Sequence, residues 1–213
     1  MVSDIKTIKR EPWIDLNLRK SKNFTVKYNQ THRHREKYCF FQNAYDFLSV
    51  NSIEGSYFEF GVHKARTFRF ALRESIIKNL NQNFYAFDSF EGLPYVKNYK
   101  KQNKFFYGGK LKTSKKKFLQ LVNTYKKYRK INVVEGCYDN TLDEKLIKKF
   151  KKNKVKAGLI NIDCDLVESV KQSLNFSTNF VGNGTILYID DYYTTYKGDP
   201  RKGIPKAVRD ILK

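Results

Sequence analysis

The sequence predicts an α/β fold in which a mostly parallel sheet carries helices on both faces. Five short apolar segments of strand character recur along the chain, and each ends in an acidic residue or a glycine. Segments with the apolar spacing of helices separate them. Strands that alternate with helices build parallel sheets. The five predicted strands are residues 57–62, 84–88, 131–136, 157–163 and 185–191.

The helices are predicted from apolar residues that lie three or four positions apart. They cover residues 35–48, 64–79, 114–129, 141–150, 166–176 and 204–212. In the fourth, Thr141 and Glu144 have the spacing of a capping box at a helix N-terminus. Residues 1–33 are polar and weakly patterned, and we interpret them as an arm or lid with some helix. We therefore expect an N-terminal arm and helix over residues 1–50 and one α/β domain over residues 51–213.

Length and composition limit the classes of protein to which the chain can belong. Its 213 residues suit one domain, and its 40% hydrophobic and 15% aromatic residues suffice for a core, which excludes a disordered tail or a collagen-like repeat. Cys39, Cys137 and Cys164 are an odd number without a CxxC pair, which argues against a disulfide framework and fits a cytoplasmic location. We expect no transmembrane segment, because no apolar run approaches ~18 residues.

The net charge of +21 leaves three interpretations open. A basic excess of this size fits a nucleic-acid partner, an anionic membrane surface or a compositional bias toward lysine. The chain contains no aromatic-and-basic motif typical of RNA-binding proteins. A basic nucleic-acid-binding protein, or an RNA methyltransferase, is therefore kept as an alternative function.

Acidic residues and glycines gather at the predicted strand ends, where parallel α/β sheets bind their ligands. The first such group, Glu59 to Thr67, follows a strand and opens a helix, as a nucleotide-type ligand requires. The second, Asp88 to Pro94, puts an acid at the end of the second strand, where a carboxylate usually binds a ribose diol. Both groups predict a ligand site at this edge of the sheet. An ordinary strand-to-helix turn is the alternative for the first group.

The strongest group consists of four carboxylates at the ends of two strands that the pattern makes neighbours. They are Asp163, Asp165, Asp190 and Asp191. Unpaired carboxylates this close would repel one another. A hard divalent cation such as Mg²⁺, Ca²⁺ or Mn²⁺ resolves that repulsion with oxygen ligands. The alternative is that lysine side chains pair with these acids.

Five segments in order and spacing identify a resemblance to one family. They are YFEFGVHKARTF from residue 57, FYAFDSFEGLP from 84, VVEGCYDNTL from 133, GLINIDCDLVESV from 158 and GTILYIDDYY from 184. Over residues 53–212 the chain resembles the macrocin O-methyltransferase family, class I enzymes that use S-adenosylmethionine to methylate sugar hydroxyls on natural products and glycans. The resemblance implies a Rossmann-like class I methyltransferase fold. Lys-rich residues 97–117 favour an anionic acceptor, such as a nucleotide-linked sugar or an acidic surface glycan.

The resemblance also implies roles for individual residues. Those it assigns to the S-adenosylmethionine site are Glu59, Gly61, Thr67, Asp88, Ser89, Gly136, Cys137, Tyr138 and Asp163. It assigns Mg²⁺ to Asp163, Asp190 and Asp191, and the general base to Asp165.

Two departures from the family pattern affect these expectations. The first turn carries Ala65 and Arg66 where family members often have further glycines, and Ala65 suits the turn if its φ is negative. The family's sheet normally closes with an antiparallel strand pair, which this chain lacks after the helix of residues 204–212. We expect either a fragment or another cover for the apolar edge of the fifth strand, and the formation of a homo-oligomer is left open.

Overall fold

Five parallel strands form the centre of the part of the chain that the computed structural model describes, which is residues 24–94, 108–109, 111–194 and 196–213. The strands are β1 (Ser56–Phe60), β2 (Phe84–Asp88), β3 (Ile131–Glu135), β4 (Ala157–Ile162) and β5 (Ile186–Ile189). Their spatial order is β3-β2-β1-β4-β5, and each neighbouring pair is parallel. The predicted α/β fold with a parallel sheet is confirmed. Trp13, the rest of residues 1–23 and the Lys-rich residues 97–104 lie outside the described residues.

Seven α-helices lie among the described residues. They are α1 (Phe24–Val50), α2 (Arg66–Ile77), α3 (Lys115–Leu121), α4 (Tyr138–Thr141), α5 (Glu144–Lys152), α6 (Val167–Ser177) and α7 (Gly203–Ile211), with short 3₁₀ turns at Asn123–Tyr125 and Tyr196–Gly198. No helix among these described ranges has the length and apolar character needed to cross a membrane. Along the described chain, β5 pairs on one side only, with β4.

Two helix starts differ from the sequence-based expectation. Within the described residues helix α1 already covers Phe24–Val50, so the predicted helix of residues 35–48 is only its apolar, core-facing part. Helix α5 is capped by Asp143, whose Oδ1 accepts from the Leu146 backbone N–H at 2.8 Å. The Thr141 hydroxyl instead donates to the Cys137 carbonyl at 3.0 Å. The predicted capping box is therefore wrong, because Thr141 ends the preceding helix α4.

Aromatic side chains pack on both faces of the sheet, because successive residues of a strand point to opposite sides. On one face, Tyr57 packs against Phe41 of α1 and Phe68 of α2. On the other face, Phe58 packs against Phe150 of α5. The sheet is thus buried by α1, α2 and α3 on one side and by α5, α6 and α7 on the other.

The order of the strands reverses at β1. Strands β2 and β3 lie on one side of β1 in the sheet, and β4 and β5 lie on the other side. Loops after β1 and β4 separate at their carboxyl ends, because the helices that follow these strands pack on opposite faces. Ligands of open α/β sheets bind in the crevice at such a switch point.

Glu59 is a fully buried carboxyl group inside this framework. Its Oε1 accepts from the Thr67 hydroxyl at 2.7 Å, and its Oε2 accepts from the Tyr57 hydroxyl. Burial raises the pKa of Glu59 from 4.5 to about 7, because these hydrogen bonds only partly replace water around the charged form. The group therefore joins β1 to α2 and takes up a proton in the folded state near neutral pH.

We expect Glu59→Gln to change how stability depends on pH. Between pH 4.5 and about 7 the folded state binds more protons at Glu59 than the unfolded state does, so the free energy of unfolding falls as pH rises. Glutamine removes this contribution, which is on the order of 3 kcal/mol at one pKa unit per 1.36 kcal/mol. Urea unfolding from pH 4.5 to 8 measures it. Exposed Glu54→Gln is the control, and parallel pH profiles for Glu59→Gln and wild type would contradict the expectation.

Candidate active site

A cavity of about 1000 Å³ opens at the carboxyl ends of the strands. Almost all residues predicted from the sequence for the site line this cavity. They are Gly61, Thr67, Asp88, Ser89, Gly136, Cys137, Tyr138, Asp163, Asp165, Asp190 and Asp191. Glu59 is the exception, because it lies in the core behind the wall and contacts Thr67 rather than the cavity. The fold thus brings together residues separated by more than half of the chain.

The turn after β1 has an unusual backbone. Gly61, His63 and Ala65 all have positive φ, of 84°, 33° and 53°. A Cβ on Gly61 would lie 2.3 Å from the Asp163 carbonyl oxygen, so only glycine permits this close approach of the β1 and β4 ends. The condition under which Ala65 suits this turn, a negative φ, is therefore not met. Such left-handed conformations are strained for residues with a Cβ and are concentrated at functional sites.

Asp88, at the end of β2, holds two turns in place. Its Oδ2 accepts from the Val62 backbone N–H at 2.8 Å, and its Oδ1 accepts from the Phe90 backbone N–H at 2.7 Å. The carboxylate lines the cavity. Its Oδ2 also accepts from the His63 backbone N–H at 3.4 Å, so Oδ1 is the oxygen with a further lone pair for a ligand hydroxyl. Ser89 beside it donates to the Gly92 carbonyl at 3.3 Å, which stabilises the turn that follows.

The end of β3 forms the next part of the wall. The Gly136 N–H donates to the Asp88 carbonyl at 3.0 Å, and Cys137 is exposed beside it. The Tyr138 hydroxyl donates to the Phe87 carbonyl at 3.1 Å and lies 3.6 Å from Cys164 Sγ. Burial raises the pKa of the Tyr138 phenol well above its ordinary value, so this side chain stays neutral.

The carboxylates at the ends of β4 and β5 form a close cluster, which we call the acid cluster: Asp163, Asp190 and Asp191. One oxygen from each lies within 4.8 Å of the others. Burial raises the pKa of Asp163 well above its ordinary range, and the negative charge of Asp190 adds to the effect. Burial likewise raises the pKa of Asp165 to about 7, together with the charge and hydrogen bond of Asp191. The geometry and the all-oxygen donor set fit a hard divalent cation.

Two cationic side chains from α1 reach the acid cluster. Lys37 Nζ lies 2.6 Å from Asp190 Oδ2 and 3.6 Å from Asp163 Oδ2. Arg33 Nη2 lies 3.1 Å from Asp190 Oδ2 and 3.3 Å from Asp191 Oδ1. Burial opposes the ionisation of Asp190, but Lys37 and Arg33 outweigh it and hold the pKa of this carboxyl below its ordinary value. The alternative of lysine pairing is thus correct for Lys37.

Sequence reasoning missed Arg33 and Lys37 as site residues. Their four-residue spacing, which puts both on one face of a helix, was the only available signal. It also missed His34, whose side chain meets that of Arg66 at the cavity, with Arg66 Nη1 2.7 Å from His34 Nδ1. Arg66 therefore contacts α1 as well as lining the cavity.

Comparisons with known proteins identify a family and solved structures with a similar fold. The model of one family, described as Macrocin-O-methyltransferase (TylF), matches residues 6–202. No curated protein matches the chain.

Solved structures with the same fold include two of CalS11. One is described as a calicheamicin methyltransferase, with a TM-score of 0.70 and 19% identity over 92% of this chain and 80% of that one. The other is described as apo CalS11, TDP-rhamnose 3′-O-methyltransferase, an enzyme in calicheamicin biosynthesis, with a TM-score of 0.61 and 18% identity over the same shares. The O-methyltransferase NovP matches with a TM-score of 0.60 and 19% identity, over 81% of this chain and 69% of that one.

Gly61→Ala should destabilise the protein. The added Cβ meets the Asp163 carbonyl oxygen, which belongs to the backbone, and the positive φ is unfavourable for alanine. We expect the free energy of unfolding to fall by roughly 2–4 kcal/mol. Chemical denaturation measures this loss against Gly182→Ala, because nothing lies within 4 Å of a Cβ at Gly182. Equal stability of the two variants would show that the turn adapts freely.

Proposed function

The chain belongs to the macrocin O-methyltransferase family, and from that premise we propose that it transfers a methyl group from S-adenosylmethionine to a sugar hydroxyl. The acceptor class is a glycan, a nucleotide-linked sugar or a glycosylated natural product. The observation that carries the proposal is the single cavity lined by both the β1 turn with Asp88 and the carboxylates after β4 and β5. CalS11 is described as a TDP-rhamnose 3′-O-methyltransferase, which supports a nucleotide-linked sugar as a first acceptor to test.

We assign the part of the cavity around β1, β2 and β3 to the cofactor. Asp88 would accept from the ribose hydroxyls while its bonds to Val62 and Phe90 keep the carboxylate oriented. The first turn, with Gly61 and Thr67, would face the methionine portion. Glu59 acts behind the wall as a positioning residue, because it accepts from the Thr67 hydroxyl. The cavity volume of about 1000 Å³ accommodates a nucleotide-sized cofactor together with a sugar.

Four further residues complete the assigned cofactor wall. Gly136, Cys137 and Tyr138 would lie beside the adenine, and Ser89 would lie next to the ribose. When bound, S-adenosylmethionine supplies a methyl group on a sulfonium leaving group, and alignment provides much of the catalysis of such an in-line displacement.

We assign the part of the cavity around β4 and β5 to the acceptor. A Mg²⁺ ion held by Asp163, Asp190 and Asp191 would supply a Lewis acid that lowers the pKa of the sugar hydroxyl. Asp165 accepts the proton that this hydroxyl loses as its oxygen bonds to the methyl carbon. Asp163 lies between the two parts of the cavity, since its backbone carbonyl approaches Gly61 while its side chain belongs to the acid cluster.

The same assignment of the cavity divides the chain into a domain and an arm. Residues 51–213 would form the methyltransferase domain, and residues 1–50 would form an N-terminal arm whose helix α1 covers one side of the cavity. Helix α1 lines the cavity through Arg33, His34 and Lys37. An RNA methyltransferase on the same fold stays the alternative, and the family to which the chain belongs favours a sugar acceptor over it.

Binding of S-adenosylmethionine is the direct test of the proposal. We expect isothermal titration to give one site per chain with a Kd between about 1 µM and 1 mM, the usual range of enzyme–substrate affinities. Asp88→Asn should weaken binding roughly tenfold or more, because it removes a charged acceptor. Exposed Glu91→Gln, at the rim of the same cavity, is the matched control. Absence of binding by folded wild-type protein would refute the proposal.

Asp165→Asn should impair turnover without impairing cofactor binding. The amide cannot accept the acceptor's proton, so we expect kcat to fall by about 10²–10⁴. The measurement is product formation by mass spectrometry with thymidine-diphosphate rhamnose and a panel of other sugar acceptors, beside a titration of the variant with S-adenosylmethionine. Asp139→Asn, on the same cavity wall, should retain turnover. Wild-type turnover by Asp165→Asn would remove this residue from the chemistry.

A further inference from the structure

Lys37 occupies the position between two carboxylates of the acid cluster. Its Nζ lies 2.6 Å from Asp190 Oδ2 and 3.6 Å from Asp163 Oδ2. The side chain is only 13% exposed, and that of Asp190 is 9% exposed, so this pair is shielded from water. An ion pair in such a setting is screened much less than a surface pair.

The packing of α1 sets the position of Lys37. Its neighbour Tyr38 is buried and accepts from Arg73 Nε at 2.9 Å. One turn further on, Phe41 is fully buried, and Phe40 packs against Tyr188 of β5 with ring centroids 4.5 Å apart. Because Tyr188 is two residues before Asp190, the same helix–strand contact that buries the aromatic rings brings Lys37 to the acid cluster.

An ammonium group and a divalent cation need the same oxygens here. A metal bound by Asp163 and Asp190 would be coordinated by the oxygens that Lys37 contacts, and the two positive charges would repel each other at that distance. Arg33 adds a second positive charge, shared between Asp190 and Asp191. Together the two side chains bring the charge of one divalent cation to the acid cluster.

We propose that Lys37 is an internal counter-cation that competes with a divalent metal for Asp163 and Asp190. The chain thereby neutralises its acid cluster without metal, and a metal ion binds only when the Lys37 ammonium leaves these oxygens. Arg33 reinforces the competition from the more exposed side of α1, where its side chain is 53% exposed. This inference rests on the metal site of the proposed function and adds to it a residue that sets metal affinity.

Mn²⁺ titration followed by the electron paramagnetic resonance signal of the free ion tests the competition without any turnover. Lys37→Gln should bind Mn²⁺ roughly tenfold or more tightly than wild type, within the 5–150-fold range typical of coupled sites. Lys37→Arg keeps the charge and should not gain this affinity. Lys64→Gln is the matched control, because Lys64 lines the same cavity and, among the described residues, makes no ion pair with the acid cluster.

The double variant Asp163→Asn with Asp190→Asn should lose Mn²⁺ binding, which places the ion at the acid cluster. Equal or weaker Mn²⁺ binding by Lys37→Gln than by wild type, or the same gain in Lys64→Gln, overturns the competition. Retention of binding by the double variant, or no binding by any protein, overturns both the competition and the metal site. If thermal melting shows that Lys37→Gln is unfolded, Arg33→Gln replaces it. Tighter Mn²⁺ binding by Arg33→Gln than by wild type is then expected, and equal or weaker binding overturns the competition. A titration with S-adenosylmethionine tests the cofactor assignment separately.

Discussion

The negative charge at the ends of β4 and β5 is the constraint on which the site depends. Three carboxylates with oxygens within 4.8 Å of one another repel one another when ionised unless positive charge comes close. The fold provides that charge from α1, through Arg33 and Lys37. The packing of α1 therefore sets the charge balance of the cavity, although the carboxylates themselves come from the strand ends and not from this helix.

The aromatic core is what holds α1 in that place. Phe41 packs against Tyr57 of β1 and also lies near Tyr188 of β5. These contacts fix the helix on one face of the sheet, where it packs on β1 and β5. A change in the core at Phe41 therefore alters electrostatics as well as packing, since Lys37 lies one turn earlier on the same helix.

The junction of β1 and β4 places the two halves of the cavity next to each other. Gly61 follows β1 and approaches the Asp163 carbonyl, and the Asp163 N–H donates to the Phe60 carbonyl at 2.9 Å. The backbone thus joins the turn assigned to the cofactor with the carboxylates assigned to the acceptor. A methyl donor and a hydroxyl bound in these two parts would meet at this junction, which a displacement reaction requires.

The sequence by itself determined the five strands, their parallel arrangement and the acids and glycines at their ends, because apolar periodicity and strand-end residue types are local properties. Their gathering around one cavity also follows, since parallel strands end at one edge. Other features depend on contacts between distant segments. The positive φ of Ala65 and the burial of Glu59 behind the wall are of this kind.

Only the tertiary structure decided how the acid cluster is neutralised. Lys37 and Asp190 are 153 residues apart. Apart from its four-residue spacing to Arg33, nothing in the local sequence distinguishes Lys37 from the many other lysines of a chain with a net charge of +21. An ion pair forms where packing brings two side chains together, and that packing is a property of the assembled core rather than of either segment.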